Sequence, residues 1–501
     1  MSYAMNLAPP VLLNITGPDH IQWRKMYILY IPLFLFCAAF LGWAFPTDSM
    51  LAVDSAAGGL AGGYVLWDVV VKQAPLRFSH IFFIANAFGY GFGAFNSWLS
   101  IPREDISLAN YFLKDTEIVT RTMAAVLVSS AVLCIFGEIF EKPIFPPRLK
   151  LKVDTQVVVL IVLGTAMLLV GYVTGNIGYM GGVAKGGGSE SIFTSFLMWI
   201  YPALFATTAL GILNSSNGLK RWGLVVFLVI QFVLILPTGR RNLIYSILLA
   251  VIVGRFSASN FLKRWSLFKK VAYLTAMVVV LSVSLLAFYY LRVAGYGTKR
   301  TLSTYDRISM AIQIYESGYN SRVKAQFINN LEQRTFVLGY LSDLLGASEQ
   351  KTPAMGNAIY HELLVTIPGI LWEDKNSSIY QEEGIANMQF NFSYIDEANS
   401  ILTSGALDFG IWGMIAYPVM ISVLFAFSNR ITSSFLPPTI GAFITFALLF
   451  DAFSTETEVW GHLVTLRNSL IFAIFFWCYF KIFHIYLPER SSSRELIQGW
   501  R

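Results

Sequence analysis

Long apolar runs alternate with short polar loops along almost the whole chain. Twelve such runs lie near residues 26–45, 50–70, 80–100, 119–140, 155–174, 191–213, 219–237, 241–256, 271–291, 405–427, 438–455 and 468–487. A helix needs roughly 20 apolar residues to cross a bilayer, so the pattern predicts about twelve transmembrane helices. The second run is the weakest, because Asp54, Asp68 and the GGLAGG stretch at 58–63 dilute it. Small residues there let helices approach closely. The eighth run is short and suits a tilted helix or a thinned bilayer. The first run is too long for a signal-peptide core and follows a polar start, so it reads as a membrane anchor.

One stretch breaks the alternation. Residues 292–404 are too polar to span and too long for a simple linker. They carry helix-like periodicity, and long loops with their own structure tend to be functional. The pattern therefore divides the chain into 1–291 with helices one to nine, a structured segment 292–404, and 405–501 with helices ten to twelve and a tail.

Composition agrees with a membrane protein. Of 501 residues 55% are hydrophobic and 13% charged, against about 25% charged in soluble domains. Mean hydropathy is +0.58. Cys37, Cys134 and Cys478 each sit inside an apolar run and read as small buried hydrophobes. The net charge of +6 is best read through loop asymmetry, not as nucleic-acid binding. With twelve spans, Arg24, Lys25, Lys72, Arg77, Lys142, Arg148, Lys150, Lys152, Lys220, Arg221, Arg255, Lys263, Arg264, Arg430 and Lys481 all fall on one side. That side is the cytoplasm, both termini are expected there, and 292–404 is expected on the far side.

The string PTGRRN at 237–242 then violates the charge rule. It puts Arg240 and Arg241 in a short outer loop, at the start of a helix that Thr238 or Gly239 can cap. A helix N-terminus is already positive, and it binds phosphate through free N–H groups. Arginine adds bidentate donors. The pair reads as an anion site for a lipid-linked diphosphate; the alternative is contact with lipid headgroups or loop carboxylates. Arg292, Lys299 and Arg300 leave the ninth run at the same boundary. Arg292 abuts the apolar run and points either into the bundle or, snorkelling, to the interface.

His361 opens the string HELLVTIPGILWEDKN and is a candidate general base, or a structural histidine on an amphipathic helix. HELLV lacks the second histidine of a zinc protease. Glu456 and Glu458, followed by His462 and Arg467, lie in the last outer loop. They read as a solvated face more readily than as a metal site, and no metal or other cofactor is expected. Asp396, Glu397, Asn399 and Asp408 lead into the tenth run as general bases or sugar-hydroxyl acceptors; Asp396 and Glu397 equally fit first-turn acids. Tyr315, Tyr340, Trp372 and Tyr380 are among many outer aromatics that suit sugar rings or an ordinary core.

The topology, PTGRRN (237–242), LVTIPGILWEDK (364–375) and EANSILTSGALDFGIWG (397–413) together resemble bacterial O-antigen and exopolysaccharide polymerases (Wzy-type) and the related O-antigen ligases. The resemblance covers roughly residues 220–430. Gly-Arg-Arg-Asn stands where the family has a Gly-Ser-Arg-Gly-like string, so either arginine can be the motif's. Ala398-Asn399 stands where ligases carry a His-Asn string, which favours a polymerase. The resemblance implies a glycosyltransferase C-like fold in the bacterial inner membrane. It also implies undecaprenyl-diphosphate-linked glycans as substrates and a chain-length regulator as a further partner. Arg240, Arg241, Arg292, Arg300 and Lys375 would hold the diphosphate. His361, Arg292, Asp396 and Glu397 would serve catalysis. Asn399, Asp408 and Trp372 would contact sugar. The competing classes are a ligase, a non-catalytic scaffold and a transporter or flippase. A transporter should carry midplane charges on repeated halves, and no repeat is visible.

Overall fold

The structure is a computed structural model. It describes residues 24–70, 72, 74–100, 115–144, 155–174, 177, 192–215, 217–254, 266–294, 304–318, 323, 336–368, 371–372, 379–394 and 397–482. Every regular element among the described residues is helical. Five helical stretches, Met26–Ala44, Thr116–Phe140, Gly218–Thr238, Ile411–Phe435 and Val459–Tyr479, are long and apolar enough to cross a membrane. Shorter apolar helices stand at Val157–Val173, Trp199–Asn214, Asn242–Gly254, Ser282–Val293 and Ile440–Ala452. The chain thus has the character of a helical membrane protein.

After a π-helical turn at Met26–Tyr30, the first block is α1 (Ile31–Ala44), α2 (Asp48–Val70), α3 (Phe78–Ser100) and α4 (Thr116–Phe140). These four run up and down. At their lower end Tyr27, from the turn before α1, donates to Asp68 at 3.1 Å and stacks on His80. Arg77 there pairs with Glu138. At their upper end Thr120 meets the Thr47 carbonyl at 3.4 Å. Side-chain pairing lets these polar groups sit buried inside an apolar bundle. In α2 the glycine stretch works by face: a Cβ on Gly62 would stand 2.8 Å from Ala87 of α3, whereas Gly63 faces open space.

The second block is α5 (Thr155–Val173), α6 (Ile192–Asn214), α7 (Gly218–Ile235), α8 (Arg240–Gly254) and α9 (Leu267–Val293). Between α9 and the last three membrane-type helices come α10 (Thr304–Glu316), α11 (Phe336–Gln350), α12 (Asn357–Val365), α13 (Glu382–Phe390) and α14 (Ile401–Phe409). The chain closes with α15 (Ile411–Phe435), α16 (Pro438–Ala452) and α17 (Val459–Ile482). Helix α11 packs at the upper end of the first block, where Gly346 meets Ile118 at the start of α4.

Two helix bounds differ from the sequence expectation. The tenth run is two helices, because Gly410 at φ +58° turns the chain between α14 and α15. These then pack with Gly405 against Gly413, so closely that a Cβ on either would strike the other's backbone. The last helix starts at Val459, not near 468. His462 and Arg467 are therefore helical and not in a loop, and both have polar partners: His462 Nδ1 lies 2.5 Å from Asp451 Oδ2, and Arg467 donates to the Thr366 carbonyl at 2.7 Å.

Candidate functional site

The sequence marks two basic segments, and the fold brings them together. Leu236–Thr238 forms a single 3-10 turn after α7. Gly239 follows at φ +133°, ψ 152°, a backbone that L side chains rarely adopt. Helix α8 starts at the next residue, Arg240. The Thr238 hydroxyl donates back to the Ile235 carbonyl at 2.7 Å. As at any helix start, the first N–H groups of α8 have no acceptor within the helix. Of Arg240 and Arg241 the structure describes the backbone.

Leu236 packs against the apolar cluster that Tyr289, Tyr290, Leu291, Val293 and Ala294 at the end of α9 form with Ala311 and Val323. Arg292 therefore stands beside the turn that leads into Arg240. Arg307 of α10 adds a guanidinium there, donating to the Leu291 carbonyl at 3.4 Å. Arg300, Lys375 and Asp396 lie outside the described residues. Tyr245, on α8, stacks on Phe453, at the head of the loop that carries Glu458. The basic end of α8 and the acidic residues described next thus share the upper end of the bundle.

Those acids form a buried cluster between α12, α13, α14 and the start of α17. Glu362, Glu382, Glu383, Asn399 and Ser404 are buried. Ser404 Oγ lies 2.7 Å from Glu362 Oε1 and 2.6 Å from Glu382 Oε2. A hydroxyl carries one hydrogen, so it can donate to only one of them. The other contact requires a protonated carboxyl that donates to Ser404. Burial pushes both carboxyls well above the usual carboxylate range, with the charge of Glu458 adding to it.

The Asn399 amide spans the other half of the cluster. Its Nδ2 donates to Glu383 at 3.0 Å and to Glu458 at 2.8 Å. Trp460 donates its indole N–H to the second oxygen of Glu458 at 2.5 Å. The Glu397 backbone N–H reaches Glu383 at 3.2 Å. Burial raises Glu458 as well, and the Asn399 bond opposes it. Among the described residues no three His, Cys, Asp or Glu side chains converge as ligands for a metal ion.

His361 sits on α12 between the rings of Tyr360 and Tyr380, both edge-on at 5.5 and 5.4 Å. Its Nδ1 accepts the Tyr380 N–H at 3.4 Å. In that neutral tautomer the ring proton is on Nε2, a donor suited to an anionic oxygen. Trp372 is partly buried. Asp408, expected to meet sugar, has no solvent-exposed surface. It accepts the Ala358 and Ile359 N–H groups at 2.8 and 2.9 Å and the Tyr417 hydroxyl at 2.7 Å. That is a structural task, and no oxygen of Asp408 faces a sugar-binding surface.

Of the residues singled out in the sequence, Asn399, Glu397 and Glu458 meet in the acidic cluster, and Arg292 lies in the stretch of α9 whose apolar neighbours hold Leu236. Glu362, Glu382, Glu383 and Ser404 complete the cluster without having stood out. Glu362 adjoins His361, and Glu382 and Glu383 look like ordinary first-turn acids; only the tertiary fold makes them face one another. No family model, no curated protein and no solved structure matches this chain.

Proposed function

We propose that the chain is a membrane glycosyltransferase of the inner membrane. On this reading it joins undecaprenyl-diphosphate-linked oligosaccharide repeat units into polysaccharide. The upper end of the bundle is its periplasmic face, both termini are cytoplasmic, and the apolar helices form about twelve spans.

The observation that carries the reading is the meeting of the two basic segments. The PTGRRN turn and the Arg292 end of α9 pack together through Leu236. A helix N-terminus, whose first N–H groups have no acceptor within the helix, suits a diphosphate when several guanidinium groups stand near it. The acceptor sugar's hydroxyl oxygen attacks the anomeric carbon of the donor, and the bond from that carbon to the diphosphate oxygen breaks. The diphosphate leaves with its carrier lipid, and the arginines stabilise the charge that develops on it. The hydroxyl proton passes to a carboxylate of the acidic cluster, where Glu397 and Glu458 are only partly buried. Losing one such cationic group costs roughly 3 kcal/mol of barrier.

The test uses purified protein in liposomes with a lipid-diphosphate-linked oligosaccharide. The wild type yields a ladder of lengthening glycans. Arg240→Ala, Arg241→Ala and Arg292→Ala, at equal protein levels, shorten or abolish it. Full-length ladders from all three variants would overturn the site assignment. Transfer of finished polymer to another acceptor would identify a ligase. Movement of the lipid-linked sugar across the bilayer without chain growth would identify a flippase.

A further inference from the structure

Helix α10 divides into three lengthwise sectors. Met310, Ala311 and Ile314 pack on the end of α9, and Arg307 donates to the Leu291 carbonyl on the same side. Asp306, Gln313 and Glu316 are exposed and polar, with Ser309 between them. At about 100° per residue the third sector holds Tyr305, Ile308, Ile312 and Tyr315. These are 80%, 39%, 52% and 66% exposed, so four large apolar side chains form one uncovered stripe.

That stripe continues an uncovered stripe on α9. Val279, Val283 and Leu286 are exposed along one flank of α9, three or four residues apart. Tyr290 is the next residue on that flank, and its ring meets Tyr315 of α10 edge-on at 5.6 Å. The exposed flank of α9 thus ends at Tyr290, which is buried, and Tyr290 in turn touches the apolar sector of α10 through Tyr315, with the polar sector of α10 set beside it. A helix with one apolar sector and one polar sector lies in the plane of a membrane interface. Tyrosine suits that level, because its ring is apolar and its hydroxyl is wet.

We infer that α10 rests in the upper leaflet of the bilayer. Tyr305, Ile308, Ile312 and Tyr315 sink among the lipids, and Asp306, Gln313 and Glu316 face water. The occupant of the apolar sector is the bilayer itself. The inference stands whether or not the glycosyltransferase reading does. It also seats a membrane-lying helix beside Arg292 and the PTGRRN turn.

The experiment places a nitroxide at Ile312→Cys or Gln313→Cys in the full chain, reconstituted in phosphatidylethanolamine–phosphatidylglycerol vesicles. The spin-labelled parent, with its three native cysteines, is the blank. Relaxation by oxygen, which partitions into lipid, is compared with relaxation by a water-soluble nickel chelate. The label at 312 is expected to favour oxygen severalfold and the label at 313 to favour nickel severalfold. Ile308→Cys and Asp306→Cys repeat the contrast should either first variant misfold. Nickel dominating at both sectors overturns the inference. So does shielding of the apolar sector from both agents, the signature of a second protein copy.

Discussion

Asp408 Oδ1 accepts the backbone N–H of Ala358 at 2.8 Å, across fifty residues of sequence. The contact holds the first turn of α12, whose N-cap position is Gly356 with no side chain to offer. Asp408 does from a distance what an N-cap residue does locally. It also accepts the Ile359 N–H and the Tyr417 hydroxyl, and so ties α12, α14 and α15 at one point. Asp408→Ala leaves two buried donors and one partly buried donor without an acceptor, and we expect a loss of about 3 kcal/mol of stability. Asp408→Asn keeps an acceptor and should lose less. Thermal unfolding in detergent reads the magnitude, and faster amide exchange confined to α12 would identify the cause.

Ser404 between Glu362 and Glu382 makes a prediction about protons. Near neutral pH the infrared spectrum of the wild type should contain a protonated-carboxyl band that weakens in Glu382→Gln or Glu362→Gln. Unchanged bands in both variants would mean that the cluster holds no such proton. The pH dependence has a definite sign. Both carboxyls are raised in the folded protein, so the folded state binds more protons than the unfolded one. Their contribution to stability is fully present below the ordinary glutamate value, about 4.3. It is lost as pH rises through the raised folded values. The melting temperature should fall over that interval in the wild type and change less in Glu382→Gln.

Much of the scaffold is legible in the sequence, because a run of apolar residues has few physical outcomes other than a buried or membrane-facing helix. The acidic cluster is not. Glu382 and Glu383 lie in the first turn of a short helix, where acids are favoured for local reasons. Nothing within that helix announces that Ser404 and Glu362 will face Glu382. Asp408 is misleading for the opposite reason: a lone acid before a membrane helix suggests chemistry, and its partners are two backbone groups some fifty residues away and the Tyr417 hydroxyl. The break at Gly410 hides too, since the hydrophobic pattern continues straight through it.

Glycines in α2 should divide by face. Gly63→Ala meets nothing within 4 Å, and alanine costs less backbone entropy than glycine in a helix, so a gain of roughly 0.5–1 kcal/mol is expected. Gly62→Ala puts a methyl 2.8 Å from Ala87 and should destabilise by about 1–3 kcal/mol, as overpacking does. Gly405→Ala should be worse, because the atoms it meets are the Gly413 carbonyl and the Met414 nitrogen at 2.4–2.9 Å. Backbone cannot rotate away as a side chain can. Melting temperatures of the three single variants in one detergent give the order directly; a Gly62→Ala protein as stable as Gly63→Ala would show that α2 and α3 can part at no cost.

Arg467 closes the other end of α12. Its Nη1 donates to the Thr366 carbonyl at 2.7 Å, while Nε and Nη2 both donate to Asn468 Oδ1 at 3.2 and 3.0 Å. A cation at a helix C-terminus meets the negative end of the dipole and a carbonyl that has no intrahelical partner. The fork on Asn468 aims the guanidinium, and lysine cannot reproduce that planar pair of bonds. Arg467→Ala should therefore loosen the last turn of α12 by about 1.5–3 kcal/mol, the usual contribution of a hydrogen bond to a charged group. Arg467→Lys should restore only part of it. Amide exchange at residues 364–367 measures the local change. Helix α12 also carries His361 and Glu362, so in the proposed reaction Arg467→Ala should slow chain growth while leaving the binding of lipid-linked diphosphate unchanged. An equal loss in binding would move Arg467 from holding α12 to holding the anion.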